Sequence, residues 1–239
     1  MGPPYAALDA IAASYPALKP HLDSGKPPTL TTLEATLEPL LTGSSWRIAP
    51  AALSRELGYE AAVDSGEIPT REASWHDTFN LLAFLHFPRS KRALHRRALD
   101  HQEQRRAAGL PVRRRSREED ALALIDEAAL LVAGSAPALL DFDEARRIGD
   151  LEVLDALVRR EGLSVWVFGH ALLEHLILGR PPIGAGIVTV ACRSRRREDV
   201  DAALAARIDA GGFPEPRMSP TLPWPDPRVD RWLTPLQTI

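Results

Sequence analysis

The chain has 239 residues, 45% of them hydrophobic and 26% charged, with a net charge of −3. That is enough apolar material to bury a core in one large domain or two small ones. The single cysteine, Cys192, excludes an intramolecular disulfide. No stretch approaches the roughly 20 apolar residues of a membrane span, and the first residues lack a basic-then-apolar leader pattern. The expectation is a soluble, cytoplasmic protein with no membrane partner.

In chain order, apolar spacing predicts short helices over 5–15 and 30–41, the second opened by a threonine cap with acids early. Residues 43–72 are mixed, with turn signals at Gly43, Gly58 and Ser65-Gly66. Ser74 then opens a helix. On a wheel Trp75, Phe79, Leu82 and His86 share one side, and His76, Asp77 and Asn80 share the other. Beyond Asn80 the helix is apolar nearly all round, which predicts burial. Pro88 stops it and starts a second helix over 88–108, closed by Gly109. Residues 118–134 fit one helix or two short strands around Asp126-Glu127, and strands are the expectation. "FDEARRIGDLEVLDALVRREG" reads as one helix ending at Gly162. "LSVWVFGHALLEHLILGRPP" reads as another, capped by Ser164. "GAGIVTVACRS" reads as a buried strand, and 195–210 as a helix with one polar face. The remaining proline-rich segment reads as an irregular tail. The fold class expected is α+β, mostly helical with a small sheet, as one compact domain. It divides into an N-terminal helical segment (1–57) packed on a core (58–210), and a Pro-rich tail (211–239).

Charge is unevenly spread. Residues 78–117 hold 11 Lys/Arg against 2 Asp/Glu, a local net of +9 inside an otherwise acidic chain. Such a segment meets phosphates of a ligand or nucleic acid, or pairs internally with its acidic flanks. No aromatic residue interleaves with the "RRRSR" run of Arg113, Arg114, Arg115 and Arg117, which argues against base stacking there.

Three constellations carry chemistry. His76, Asp77 and Asn80 reach one side of their helix at i,i+3 and i,i+4 spacing. A histidine, a carboxylate and an amide can ligate a metal or form a general base with its orienting partner. The bland alternative is a capping box, Ser74 with Asp77. His170 and Glu174 form a second pair at i,i+4, a spacing used by helical metal sites, or else a hydrogen bond that ties the helix to a neighbour. Arg71, Arg89, Lys91 and Arg115 are the third set, with arginine forks suited to phosphate and two residues at a helix start where the dipole favours an anion. Glycine-rich phosphate loops, the G-x-S-x-G elbow and Cys-His zinc patterns are absent from the sequence. Cys192 reads as a structural thiol.

The blocks "PTR", "WHDTFN", "FPRSK", "RSREEDALALIDE" and "FGHALLE" resemble the pattern of a bacterial family known as domain of unknown function 3025, over about Gly58 to Val190. The matching positions include Pro69, Thr70, Arg71, His76, Asp77, Phe79, Asn80, Phe87, Pro88, Arg89 and Lys91. Further on they include Arg115, Asp120, Asp126, Glu127, Gly169, His170 and Glu174. The family's turn residue after the D-E pair is replaced here by Ala128-Ala129, and the tail departs from the family's glycine- and aromatic-rich one. The resemblance implies no activity, but it joins the three constellations into one pattern.

Three readings follow. The first is a metal-dependent hydrolase of a phosphate-containing substrate. A divalent metal would sit on His76, Asp77, His170 and Glu174, with His76, Asp77 and Asn80 catalytic and Arg71, Arg89, Lys91 and Arg115 on the substrate. The second is a non-enzymatic protein that binds nucleic acid or an acidic partner through residues 89–117. The third is that these residues only brace the fold.

Overall fold

The computed structural model describes residues 5–110, 115–160, 162–211 and 221–234. The fold is α+β and mostly helical. Its amino-terminal part is α1 (Ala6–Ser14), α2 (Lys19–Ser24) and α3 (Leu30–Leu41). The Thr29 hydroxyl caps α3 by accepting from the Thr32 amide, and Leu33, Leu37 and Leu41, spaced by four, form its buried stripe. Next come β1 (Arg47–Pro50), α4 (Leu53–Leu57), α5 (Tyr59–Asp64) and β2 (Glu67–Thr70), with β1 and β2 paired in parallel.

The long helices α6 (Trp75–His86) and α7 (Pro88–Ala107) follow, hinged at Phe87-Pro88. Ser74 accepts from the Asp77 amide, and α6 is buried at every position after Trp75 except His76. The second half of the expected capping box does not form, because both Asp77 oxygens bind Arg71 instead. Pro88 takes the first position of α7, where its missing N–H costs nothing.

Residues 117–134 correct the expectation of two strands. They form α8 (Arg117–Ala128) and then β3 (Ala129–Gly134). The reason is local: Ser116 and Glu119 close a full capping box, and alanine and leucine carry the helix to Ala128. The expected single helix before Gly162 is two, α9 (Ala136–Ile148) and α10 (Leu151–Arg160), because Gly149 adopts φ +79 and ends the first. Ser164–Val167 is a strand, β4, not a helix start, and its Val-Trp-Val run pairs antiparallel with β3. The helix there, α11, spans only His170–Ile177. Next are β5 (Ile183–Ala191) and α12 (Arg197–Asp209). Over 221–234 the tail is less irregular than expected, and its other residues after 211 lie outside the described ones: β6 (Leu222–Trp224) pairs antiparallel with β5, and α13 (Pro227–Asp230) follows.

The larger sheet has the order β4-β3-β5-β6, with β3 and β5 parallel. All six residues of β3 are buried, as befits a strand covered on both faces. Leu130 and Val132 join the core of α1, α3 and α6, while Leu131 and Ala133 join that of α7, α8 and α12. Two long-range ties bind the ends. His86 of α6 lies between Tyr15 and Arg197 of α12, and the Asp230 carboxylate accepts from the Ala6 and Ala7 amides at the start of α1. Among the described residues no helix is long and apolar enough to cross a membrane.

Candidate functional site

The start of α6, the end of α8 and the start of α11 meet at one point. The contact is made close by Gly169: a Cβ there would fall on the Ala128 and Ala129 amide nitrogens and the Glu127 carbonyl oxygen. The Phe168 and Gly169 amides both donate to the Ala129 carbonyl. This seats His170, the first residue of α11, against the last turn of α8, with His76 of α6 opposite. The meeting point opens into a cleft of about 390 Å³ that also reaches Tyr59, Arg71, Asp77, Asn80, His95 and Arg115.

At the centre, His76 Nε2 and His170 Nε2 are 3.0 Å apart, the rings edge to face. The Glu127 carboxylate lies 3.9 Å from His76 Nε2 and 3.6 Å from His170 Nε2. One atom from each of the three residues lies within 4.8 Å of the other two. His76 Nδ1 sits 3.2 Å from Glu174 Oε2. A carboxylate only accepts, so Nδ1 is the donor in this contact and Nε2 is turned to the centre. Glu174 is held in turn by Arg180, 3.1 Å from Oε1.

Burial and neighbouring charges set the ionisation of the centre. Burial drops His170 from 6.5 to about 3, against the pull of the Asp126 charge, so the ring is neutral at pH 7. Burial pushes the Glu127 carboxyl up, with the His76 imidazole opposing and the Asp126 charge adding. Beneath the floor lies a buried ionic cluster. Lys91 is fully buried, donates to Asp126 Oδ1 and to Asn80 Oδ1 (2.8 Å), and lies 4.4 Å from the centroid of the Phe84 ring. Burial alone would raise Asp126, but Lys91, His95 and His170 outweigh it and hold the carboxyl below the usual range. Burial also pushes the Tyr59 hydroxyl up, and Asn80 donates to it at 2.8 Å.

The sequence-derived site residues divide into three groups. His76, His170 and Glu174 come together, with Glu174 behind His76. Asp77 and Asn80 line the same cleft, but Asp77 is taken by Arg71, which binds it through its backbone amide, Nε and Nη2. Arg71 and the exposed Arg115 line the rim. Arg89 and Lys91 do not face the cleft as phosphate ligands. The Arg89 side chain is exposed in a separate cleft with Arg92, Arg96 and Arg197, and Lys91 is sealed below the floor. The anion expected at the start of α7 is internal: Asp201 accepts from the Arg89 and Ser90 amides at 3.0 and 2.8 Å.

Four residues of the basic segment are paired with its acidic flanks. Lys91 meets Asp126, Arg96 meets Asp64, Arg97 meets Glu118, and Arg105 meets Glu119. Arg113 and Arg114 lie outside the described residues. The residue of the centre that sequence reasoning left out of the candidate site is Glu127. Its signal was the Asp-Glu pair of the pattern, and reading that pair as a turn hid it. At the end of a helix its two carboxylates point apart, Asp126 down to Lys91 and Glu127 out to the histidines.

The family model described as "protein of unknown function (DUF3025)" matches residues 48–225. That span holds every residue of the centre. No curated protein and no solved structure matches this chain.

Proposed function

Since the chain belongs to the DUF3025 family, which carries no activity of its own to transfer, we propose from the site alone that the protein is a metal-dependent hydrolase of a phosphate-containing substrate. The observation that carries this is the 3.0 Å approach of two imidazole Nε2 atoms beside the Glu127 carboxylate. Two nitrogens that each sit about 2.0–2.1 Å from one ion are roughly 2.9–3.4 Å apart at angles near 90–110°. His76, His170 and Glu127 supply three protein ligands, the number a catalytic zinc-type site uses, and leave positions for water and substrate. Glu174 fixes the His76 ring from behind, as carboxylates behind ligating histidines do. Divalent zinc, manganese or iron suits two imidazoles and a carboxylate. Such an ion supplies Lewis acidity at a phosphoryl oxygen and an activated water.

Arg115, exposed at the rim, and the outward donors of Arg71 attract the anionic substrate. Asp77 acts through Arg71, which it holds toward the cleft. Asn80, clamped between Tyr59 and Lys91, offers the floor a fixed amide. The nucleic-acid and acidic-partner reading has fewer residues to draw on, because Lys91, Arg96, Arg97 and Arg105 are paired internally.

The test begins with chelator-stripped protein. Titration with Zn²⁺, Mn²⁺ or Mg²⁺ should show one ion bound per chain and a raised Tm, with stabilisation of about 2.7 kcal/mol at a hundredfold excess over Kd. The loaded protein should hydrolyse a simple phosphate ester such as p-nitrophenyl phosphate. His76→Ala and His170→Ala should each lose ion and turnover together, while Arg115→Ala should raise KM. Absence of both binding and turnover with all three ions would sink the reading.

A further inference from the structure

β3 and β5 run parallel, and the helices that follow them leave on opposite faces of the sheet. α9 packs Ala138, Leu139 and Phe142 into the core of α1, α3 and α6, whereas α12 packs Val200, Leu204 and Ile208 into the core of α7 and α8. The chain therefore parts beyond the ends of the two strands, and open parallel sheets take ligands in the crevice at such a point. Here the crevice is a polar hollow of about 110 Å³ between Gly134, Ser135, Gly162, Ser164 and residues 192–195. It lies at the opposite end of β3 from the histidine centre, roughly 16 Å away at about 3.3 Å per residue.

The lining carries donors and no acid. Ser164, only 2% exposed, sits opposite Ala133 in the sheet, and its hydroxyl has no hydrogen-bond partner among the described residues. A hydroxyl buried without a partner is costly, so one that lines a polar hollow points to a ligand that completes it. Ser135 caps α9 by accepting from the Ala138 amide at 3.4 Å, which leaves its own O–H to donate. No acidic residue occupies the first turn of this 13-residue helix, so no carboxylate of its own answers its positive end. Ser194 is already engaged: its hydroxyl donates to Asp199 at 2.6 Å and accepts from the Arg196 amide.

Two arginines supply charge. Arg195 Nε donates to the Gly162 carbonyl at 3.1 Å. Gly162 has φ +64, and a Cβ there would fall 2.1 Å from Arg195 Nη2, so the missing side chain is what lets the guanidinium lie against this backbone. Neither Arg193 nor Arg195 meets a carboxylate among the described residues, whereas the neighbouring Arg196 and Arg197 both meet Glu198. We propose that the hollow binds one phosphate group, free or carried on a small ester. Such an oxyanion takes charge-assisted bonds from the arginines, accepts from the Ser135 and Ser164 hydroxyls, and lies at the start of α9. This site is separate from the histidine centre and does not rest on the metal reading.

The test is titration of chelator-stripped, full-length protein with inorganic phosphate and, separately, with glycerol phosphate, read by ¹H–¹⁵N NMR. The amides of Ser135, Ser164, Cys192 and Arg195 should shift and saturate. Tighter binding of the ester identifies a phosphorylated small molecule as the occupant, and equal or weaker binding identifies free phosphate. Ser164→Ala and Arg195→Gln should each weaken binding roughly 10–100-fold, as loss of a hydrogen bond to a charged group does. Arg89→Gln, which removes the same charge from a separate cleft, should leave it unchanged. The Ser164 hydroxyl bonds nothing in the fold, so Ser164→Ala should keep its Tm. Absence of saturation with both probes, shifts confined to other amides, or an affinity that Ser164→Ala and Arg195→Gln leave intact overturns the proposal.

Discussion

His86 has both ring nitrogens engaged by groups that decide its protonation. Arg197 Nη1 donates to Nδ1 at 2.8 Å, so Nδ1 is a lone pair, and Nε2 carries the proton toward the Tyr15 oxygen at 2.9 Å. Burial, reinforced by the Arg197 charge, lowers this histidine from 6.5 to about 3. Unfolded, it gains a proton as pH falls through 6.5; folded, it resists until about 3. Its contribution to stability is therefore complete above pH 6.5 and is lost as pH falls toward 3, at up to about 1.4 kcal/mol per pH unit. Denaturant unfolding of wild type and His86→Gln between pH 7 and 4 should give curves that converge as pH falls, and parallel curves would refute the assignment. The sequence pointed to His76, Asn80, His170 and Glu174 because each pair lies three or four residues apart on one helix. Local spacing did not reveal that Glu127 meets the two histidines or that Lys91 is buried. Those depend on contacts between α6, α7, α8 and α11, across separations that no local spacing encodes.

At the scale of elements, the start of α11 is placed by one missing methyl. Gly169→Ala would push α11 away from the 127–129 backbone, and its neighbours there are backbone atoms that cannot rotate aside. The substitution should cost about 1–3 kcal/mol or more and weaken metal binding, because His170 moves with the helix. Thermal unfolding and Zn²⁺ titration of the variant check both. An unchanged Tm would mean that the close approach is not required. The elements legible in the sequence were those with their own punctuation: α3 with its Thr29 cap, α6 with Ser74, α7 between Pro88 and Gly109, and the β-branched run of β5. The misread ones are set by long-range or conformational facts. Ser164–Val167 becomes a strand because β3 lies beside it, and 136–160 splits because Gly149 takes a positive φ. The helix of α8 was legible in its capping box, and giving weight to the Asp126-Glu127 turn instead produced the error.

Over the whole molecule, α1 and α13 are fastened to each other. Asp230 accepts from the Ala6 and Ala7 amides at 2.7 and 3.3 Å, capping α1 with a side chain from α13. Leu233 bridges to Val165 at the edge of β4, and Thr234 bonds the Val165 backbone. Asp230→Ala should lower stability by about 1 kcal/mol and make the α1 region the first site of cleavage under limited proteolysis, while the centre still binds its ion. Cleavage first elsewhere, or loss of the ion, would contradict this. The clasp also has a consequence for how the protein is made. α1 leaves the ribosome well before α13, and its cap is supplied by a residue 224 positions later. At 5–20 residues per second, α1 waits roughly 11–45 s for that cap. Throughout that interval its apolar stripe of Ala7 and Ile11 lacks its final partners, so the nascent α1 is a segment for a chaperone to cover.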